Sequence, residues 1–200
     1  MAAGKKTPLA FFQQDDVVQL AKALLGKILM TNIEGRPTGG IIVETEAYAG
    51  AADKASHAYN NRRTQRTEPM FAAGGITYIY LCYGVHHLLN IVTGKKDVPH
   101  AILIRALEPT RGVATMLLRR KQTKPSPALT AGPGSLAQAL GLTLKHNSLQ
   151  LDSNAIWLEE APLCGSILAS PRVGVGYAGE DAKNPWRFRI KDNKWTSPAK

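Results

Sequence analysis

The strongest constraint on this chain is a succession of short segments of alternating apolar character, separated by turn residues, through its first half. Residues 27–33 and 39–48 read as strands joined through Glu34-Gly35-Arg36-Pro37, a hairpin turn by composition. Residues 77–83 and 86–93 form a second hairpin signal turning near Tyr83-Gly84, and 100–107 adds another strand. Helices fill the remainder. Asp15-Asp16 ahead of Val17, Val18, Leu20, Ala21, Leu24 and Leu25, with Gly26 beyond them, predicts an amphipathic helix. A second is expected from Pro109, where a missing N–H is harmless, to Lys121. A third is expected over 136–140, with Ser135 as N-cap and Gly141 as stop. Short strands follow at 155–158, 167–175 and 186–191. The sum is an α+β fold: a single domain over 1–200, with a curved, mostly antiparallel β-sheet and surrounding helices. Residues 1–8 and 196–200 are expected to fray.

Two hundred residues at 44% hydrophobic suffice for one sizeable core without a metal or disulfides. Cys82 and Cys164 are too few for a secreted disulfide scaffold and suit a reduced, intracellular protein. Met1-Ala2-Ala3-Gly4-Lys5-Lys6 lacks the apolar stretch of a signal peptide. No apolar run approaches the roughly 20 residues that span a bilayer, so a soluble chain without a membrane partner is expected. A net charge of +10 favours a polyanionic partner. Arg62, Arg63 and Arg66 fall in one loop, placed to meet successive phosphates. Arg119-Arg120-Lys121 with Lys124 suits either phosphates or the carbonyl end of a helix.

Within that frame, residues 44–111 gather the groups capable of chemistry. Strand alternation puts Ile42, Glu44, Glu46 and Tyr48 on one face, with His57 a short loop away. A carboxylate partly removed from water can act as a general base, and Glu46 beside Tyr48 suits that task in a hydrolysis. Most strand carboxylates are simply solvated, so it is the company of His57 and the tyrosines that singles this one out. A metal site from Glu44, Glu46, Asp53 and His57 lacks a paired-His or CxxC spacing, and no metal or cofactor is expected. Tyr83 beside Gly84 is expected at a hairpin tip, exposed as a wedge for a base stack, whereas Tyr78 reads as an ordinary sheet tyrosine. Asn90 is placed to read a base edge. Leu103 and Arg105 share a strand face, and an arginine there needs an anion: a phosphate, or a buried acid such as Glu108. His86 and His87 read as packed or hydrogen-bonded side chains.

At these residues the chain resembles the 3-methyladenine DNA glycosylases, also called alkyladenine or N-methylpurine DNA glycosylases. The matching stretches are VETEAY (43–48), RRTQRTEPMF (62–71), YIYLCYG (78–84), LNI (89–91), LIRALEP (103–109), AGPGSLAQALGL (131–142), IWLE (156–159) and PRVGVGYAGEDAKNPWRF (171–188). They run in order along nearly the whole chain. Relative to vertebrate forms, His86-His87-Leu88 replaces aromatic and small residues, and Gln65 interrupts a T-P-R sequence.

The resemblance implies an enzyme that flips a damaged purine out of duplex DNA and hydrolyses its N-glycosidic bond without a cofactor. An abasic site is left, with no strand cleavage. It implies Glu46 as the base for the attacking water, with His57, Arg105 and the Val175 carbonyl positioning water or phosphate. Tyr48, His57 and Tyr80 would wall the pocket, Tyr83 would fill the hole in the DNA, and Asn90 and Leu103 would screen out normal purines. Arg62, Arg63, Arg66, Gly134 and Ser135 would meet the DNA backbone. The expected substrates are 3-methyladenine and 7-methylguanine, extending to hypoxanthine and ethenoadenine, neutral lesions for which no general acid stands out. A monomer is expected, in the bacterial cytoplasm with the nucleoid, or in the nucleus of a eukaryote. Two other readings compete: a non-catalytic binder of distorted DNA, and an RNA-binding formyl- or acyltransferase-like domain, which lacks an acyl-donor loop here.

Overall fold

The computed structural model describes residues 4–198. Its strands are β1 (Ile28–Ile33), β2 (Arg36–Tyr48), β3 (Thr77–Cys82), β4 (His86–Thr93), β5 (His100–Arg111), β6 (Ile156–Glu159), β7 (Ile167–Ser170) and β8 (Arg187–Ile190). They form one curled sheet in the order β3-β4-β5-β2-β1-β6, with β8 paired to β2 and β7 to β8. Every pairing is antiparallel. The helices are α1 (Val17–Ala23), α2 (Val113–Arg120) and α3 (Pro133–Leu140). The architecture is the α+β single domain that the hairpin signals imply.

The alternation of side chains divides the sheet into two functional faces. Ile79, Leu89, Ile91, Ile102 and Ile104 point one way and share a core with Leu20 of α1, Leu24 at its C-terminal cap, and Leu136 and Leu140 of α3. Each such side chain contributes about 1.5–3 kcal/mol of burial. On the other face the register sets Tyr78 opposite Asn90, Asn90 opposite Leu103 and Leu103 opposite Glu46, one row across four strands. β2 is the axis of the fold. Its first half pairs with β1 and its second half with β8, while β5 runs along the other edge. Irregularities between Ile42 and Glu44 and between Glu44 and Thr45 bend it. They also break the simple alternation, so Ile42 joins the main core instead of sharing the face of Glu46.

Both hairpins turn on two residues in the left-handed region, Glu34-Gly35 (φ 57° and 69°) and Tyr83-Gly84 (φ 49° and 70°). Such turns match the right-handed twist of the flanking strands. Arg36 and Pro37 already belong to β2, which is longer than expected. Asp16 caps α1 as anticipated, accepting from the Gln19 N–H at 2.9 Å.

Several expectations are corrected. No helix begins at Pro109: β5 continues to Arg111, because Gly40 lets it pass so close that a Cβ there would lie 2.3 Å from the Glu108 carbonyl. The helix starts at Val113, after left-handed Gly112. α3 starts at Pro133, which suits a first turn, so Ser135 is not its cap and instead accepts from Arg120 at 3.0 Å. The strand expected over 167–175 ends at Ser170, and residues beyond it leave the sheet as a loop. Nor are the described termini loose. Thr7 is buried and bonded to Glu160, and Ser197 is buried against Glu44. The rest of the fraying expectation, 1–3 and 199–200, lies outside the described residues.

Candidate active site

The row of residues on the open face lines a cleft of about 410 Å³ between β3, β4 and β5 and the loops carrying His57 and Val175. Its walls are aromatic. The rings of His57 and Tyr80 meet edge to face at 4.7 Å, and Tyr78 lies 5.6 Å from Tyr80. Arg66 lies over the outer ring, its Cζ 4.9 Å from the Tyr80 centroid. His57 Nδ1 and the Tyr78 hydroxyl share a hydrogen bond of 2.9 Å. Tyr78 therefore orients a pocket residue, a role its strand propensity alone does not suggest. The available signal was its two-residue offset from Tyr80, which puts both rings on one face.

Electrostatics keep this wall neutral. Burial holds the His57 imidazole down to about 4, helped by the cations Arg66 and Arg62. Burial likewise raises the phenols of Tyr80 and Tyr48, and Glu46 raises Tyr48 further.

Glu46 stands directly behind the wall. Its side chain is fully buried. One oxygen accepts from the Val173 N–H at 2.8 Å, and the other from the Tyr48 hydroxyl at 2.9 Å and from Arg105 Nη1 at 3.4 Å. Tyr48, Arg105 and Val173 all face the cleft, so each donor links the carboxylate to the cavity. Arg105 finds two acids, neither of them Glu108: its Nε donates to Glu44 at 2.9 Å. Burial opposes the arginine's charge, but Glu46 and Glu44 more than offset that and raise its pKa. Asn90 and Leu103 form the floor, Asn90 donating to the Tyr78 carbonyl at 3.1 Å, and Val175 lines the opposite side.

The loop that follows β7 reaches this site through Arg172. Its guanidinium forks onto Asp53, donates to the Ala47 carbonyl at 2.9 Å and stacks between Tyr48 and Trp186 at 4.8 and 5.1 Å. Asp53 and Arg172 thus hold the His57 and Val175 loops together. Sequence reasoning missed the arginine, whose only signal was its place in the 171–188 stretch. The four residues weighed as metal ligands do not converge: Glu44 meets arginines, Asp53 meets Arg172, and His57 meets Tyr78.

The basic loop divides. Arg62 and Arg66 line a second depression of about 330 Å³ beside His57, with Lys54 and Tyr177. Arg63 turns aside. It is forked onto Glu68 at 2.6 and 2.8 Å, bonded to Asp97 at 3.0 Å and stacked on Phe71, which leaves it poorly placed for the phosphate contact expected of it. Arg119 and Arg120 are tied to main-chain and side-chain acceptors around α3. Gly134 abuts His86, with a Cβ there 3.0 Å from the ring. Tyr83 projects from the hairpin tip with 94% of its surface exposed.

An aromatic cleft with a buried carboxylate behind it, cationic side chains at its rim and an exposed ring beside it defines an enzyme pocket open to a polyanion. The chain belongs to the methylpurine-DNA glycosylase family, whose pattern it matches over residues 10–194. It is similar to proteins provisionally named 3-methyladenine DNA glycosylases. The Chlamydia felis relative is 53% identical over 94% of this chain and 97% of its own length. That of Chlamydia abortus is 54% identical over 92% and 97%, and that of Bacillus licheniformis 42% over 98% of each. The protein is a monofunctional DNA glycosylase of DNA repair, a hydrolase acting on damaged DNA. The non-catalytic and acyltransferase-like alternatives fall with that assignment. Among the described residues no helix is long and apolar enough to cross a membrane.

Proposed function

We propose that this enzyme extrudes alkylated purines, foremost 3-methyladenine and 7-methylguanine, from duplex DNA into the aromatic cleft and hydrolyses their N-glycosidic bond with a water activated by Glu46. The observation that carries this reading is the placement of the Glu46 carboxylate, sealed from bulk solvent yet joined to the cleft by Tyr48, Arg105 and Val173. As the bond breaks, its electron pair leaves with the base and the sugar takes on oxocarbenium character. The anionic carboxylate stabilises that charge and accepts a proton as the water oxygen bonds to the sugar carbon. Arg105 and the Val175 carbonyl hold the water, and His57 faces the flanking phosphate.

The neutral walls bear on the lesion class. His57 is uncharged near pH 7 and the phenols hold their protons, so none is a strong acid for a departing base. Purines already carrying a positive charge need none, and they stack well against uncharged rings. Hypoxanthine and ethenoadenine carry no such charge and would depart as anions unless protonated, so they are the slower substrates. Tyr83 fills the vacated position in the DNA, Asn90 and Leu103 exclude normal purines, and Arg62, Arg66, Gly134 and Ser135 meet backbone phosphates. The enzyme works as a monomer, in the cytoplasm of a bacterium like those of its relatives.

The test is Glu46→Gln in a single-turnover assay on duplexes carrying one 3-methyladenine. Binding is expected to persist while release of free base falls roughly 10²- to 10⁴-fold, the usual worth of a general base. Release at the parental rate would overturn the assignment.

A further inference from the structure

Behind Glu46 lies a second buried carboxylate, Glu44, for which the hydrolysis above has no task. One of its oxygens accepts three hydrogen bonds, from Arg105 Nε at 2.9 Å, Arg187 Nε at 2.7 Å and the Ser197 hydroxyl at 2.8 Å. The other accepts the Ser197 N–H. Arg187 in turn donates to the Ser197 carbonyl at 3.1 Å. Glu44, Glu46, Arg105, Arg187 and Ser197 are all buried, so two acids and two arginines balance in charge away from water. Such clusters are seldom the best way to stabilise a core, because desolvating the ions costs about as much as their attraction returns.

The geometry at Arg105 suggests another use. Its Nε is fixed by Glu44 and its Nη2 by the Ser197 hydroxyl at 3.3 Å, so Nη1 alone faces Glu46, at the looser 3.4 Å. An arginine is a planar fork, and two anchored corners determine where the third points. We infer that Glu44 and Ser197 are positioning residues for base release: they clamp Arg105 from behind, so that one donor is presented to Glu46 and the cleft. Ser197 lies beyond residue 194, where the family match ends, yet it closes the site from the carboxyl-terminal segment.

This inference rests on the role proposed for Glu46, and the experiment separates the two. Single-turnover base release and affinity for lesion-bearing duplex are measured for the full chain and for Ser197→Ala, Ser197→Thr, Glu44→Gln, Glu46→Gln and the double variant Ser197→Ala/Glu46→Gln. Ser197→Ala keeps the backbone clamp and loses only the hydroxyl, so it is the variant best able to fold; Glu44→Gln is the harsher one. The expected result is a loss of release of at least about 10-fold in Ser197→Ala, larger in Glu44→Gln, with affinity for the duplex within about 2-fold and recovery in Ser197→Thr. Groups that act as one unit do not add, so Ser197→Ala should cost little more once Glu46 is gone. Parental release by folded Ser197→Ala, or equal losses with and without Glu46, would overturn the clamp. Parental release by Glu46→Gln would instead remove the reading beneath it.

Discussion

Asp53 and Arg172 face each other with both side chains wholly shielded from water, joined by two guanidinium–carboxylate hydrogen bonds. The pair ties the loop leading to His57 to the loop bearing Val173 and Val175, and through the Ala47 carbonyl it fastens both to β2. Asp53 also accepts from the N–H groups of Ala49 and Ala55. Removing one partner leaves the other charge buried and unpaired, which typically costs about 3–5 kcal/mol. Asp53→Ala is therefore expected to lower unfolding stability by that order, read from denaturant midpoints. Arg172→Lys keeps a charge but cannot fork, stack on Tyr48 and reach Ala47 together, so it should also destabilise, by a smaller amount.

A different relation between stability and function holds at the hairpin tip. Tyr83 has φ 49°, a left-handed conformation that favours glycine, and its ring touches solvent almost everywhere. A bulky residue held in that region stores of order 1 kcal/mol or more, and such strain tends to gather at functional positions. Tyr83→Gly should leave the fold as stable or more so, while capture of an extruded reporter nucleotide weakens. A variant that loses stability and keeps its fluorescence response would contradict the wedge.

How much of this was visible in the chain depended on how local the cause was. Tyr83-Gly84 announced its own turn, and Asp16 its own cap, because both are settled by neighbours in sequence. The nearness of Glu46 to Tyr48 was legible because alternation put both on one strand face. What stayed hidden was long-range pairing. Nothing near Arg105 reveals that its acids are Glu44 and Glu46 rather than Glu108, since the bulges in β2 set that geometry. Ser197 looked like a loose tail because its partner Glu44 lies at the other end of the chain. Pro109 misled for a related reason: its tolerance in a strand comes from Gly40 across the sheet.

The imidazole of His57 supplies a pH prediction. Burial, with Arg66 and Arg62, lowers its pKa from about 6.5 in the unfolded chain to about 4 in the native one. Because the unfolded state binds the proton more readily, the stability that neutral His57 contributes is complete above about 6.5 and is lost as pH falls toward about 4. Histidine NMR should show one ring, assigned by its absence in His57→Gln, that stays neutral through about pH 5. A ring titrating near its ordinary value would mean that the cleft is wetter than its geometry indicates.

The arginine loop provides the last test, because adjacent residues there have different partners. Arg62 and Arg66 border the depression beside the aromatic cleft, whereas Arg63 is already engaged by Glu68 and Asp97. Abolishing one charge-neutralising bond to a phosphate should reduce the slope of log affinity against log salt by about 0.9 on duplex DNA. Arg62→Ala and Arg66→Ala are expected to lower the slope by about that amount each. Arg66→Ala should also slow base release, because it uncovers the face of Tyr80. Arg63→Ala should leave the slope nearly unchanged, since its charge is answered within the protein. Equal slopes for all three variants would show that DNA is held by the loop's summed charge and not by the two arginines that line its inner wall.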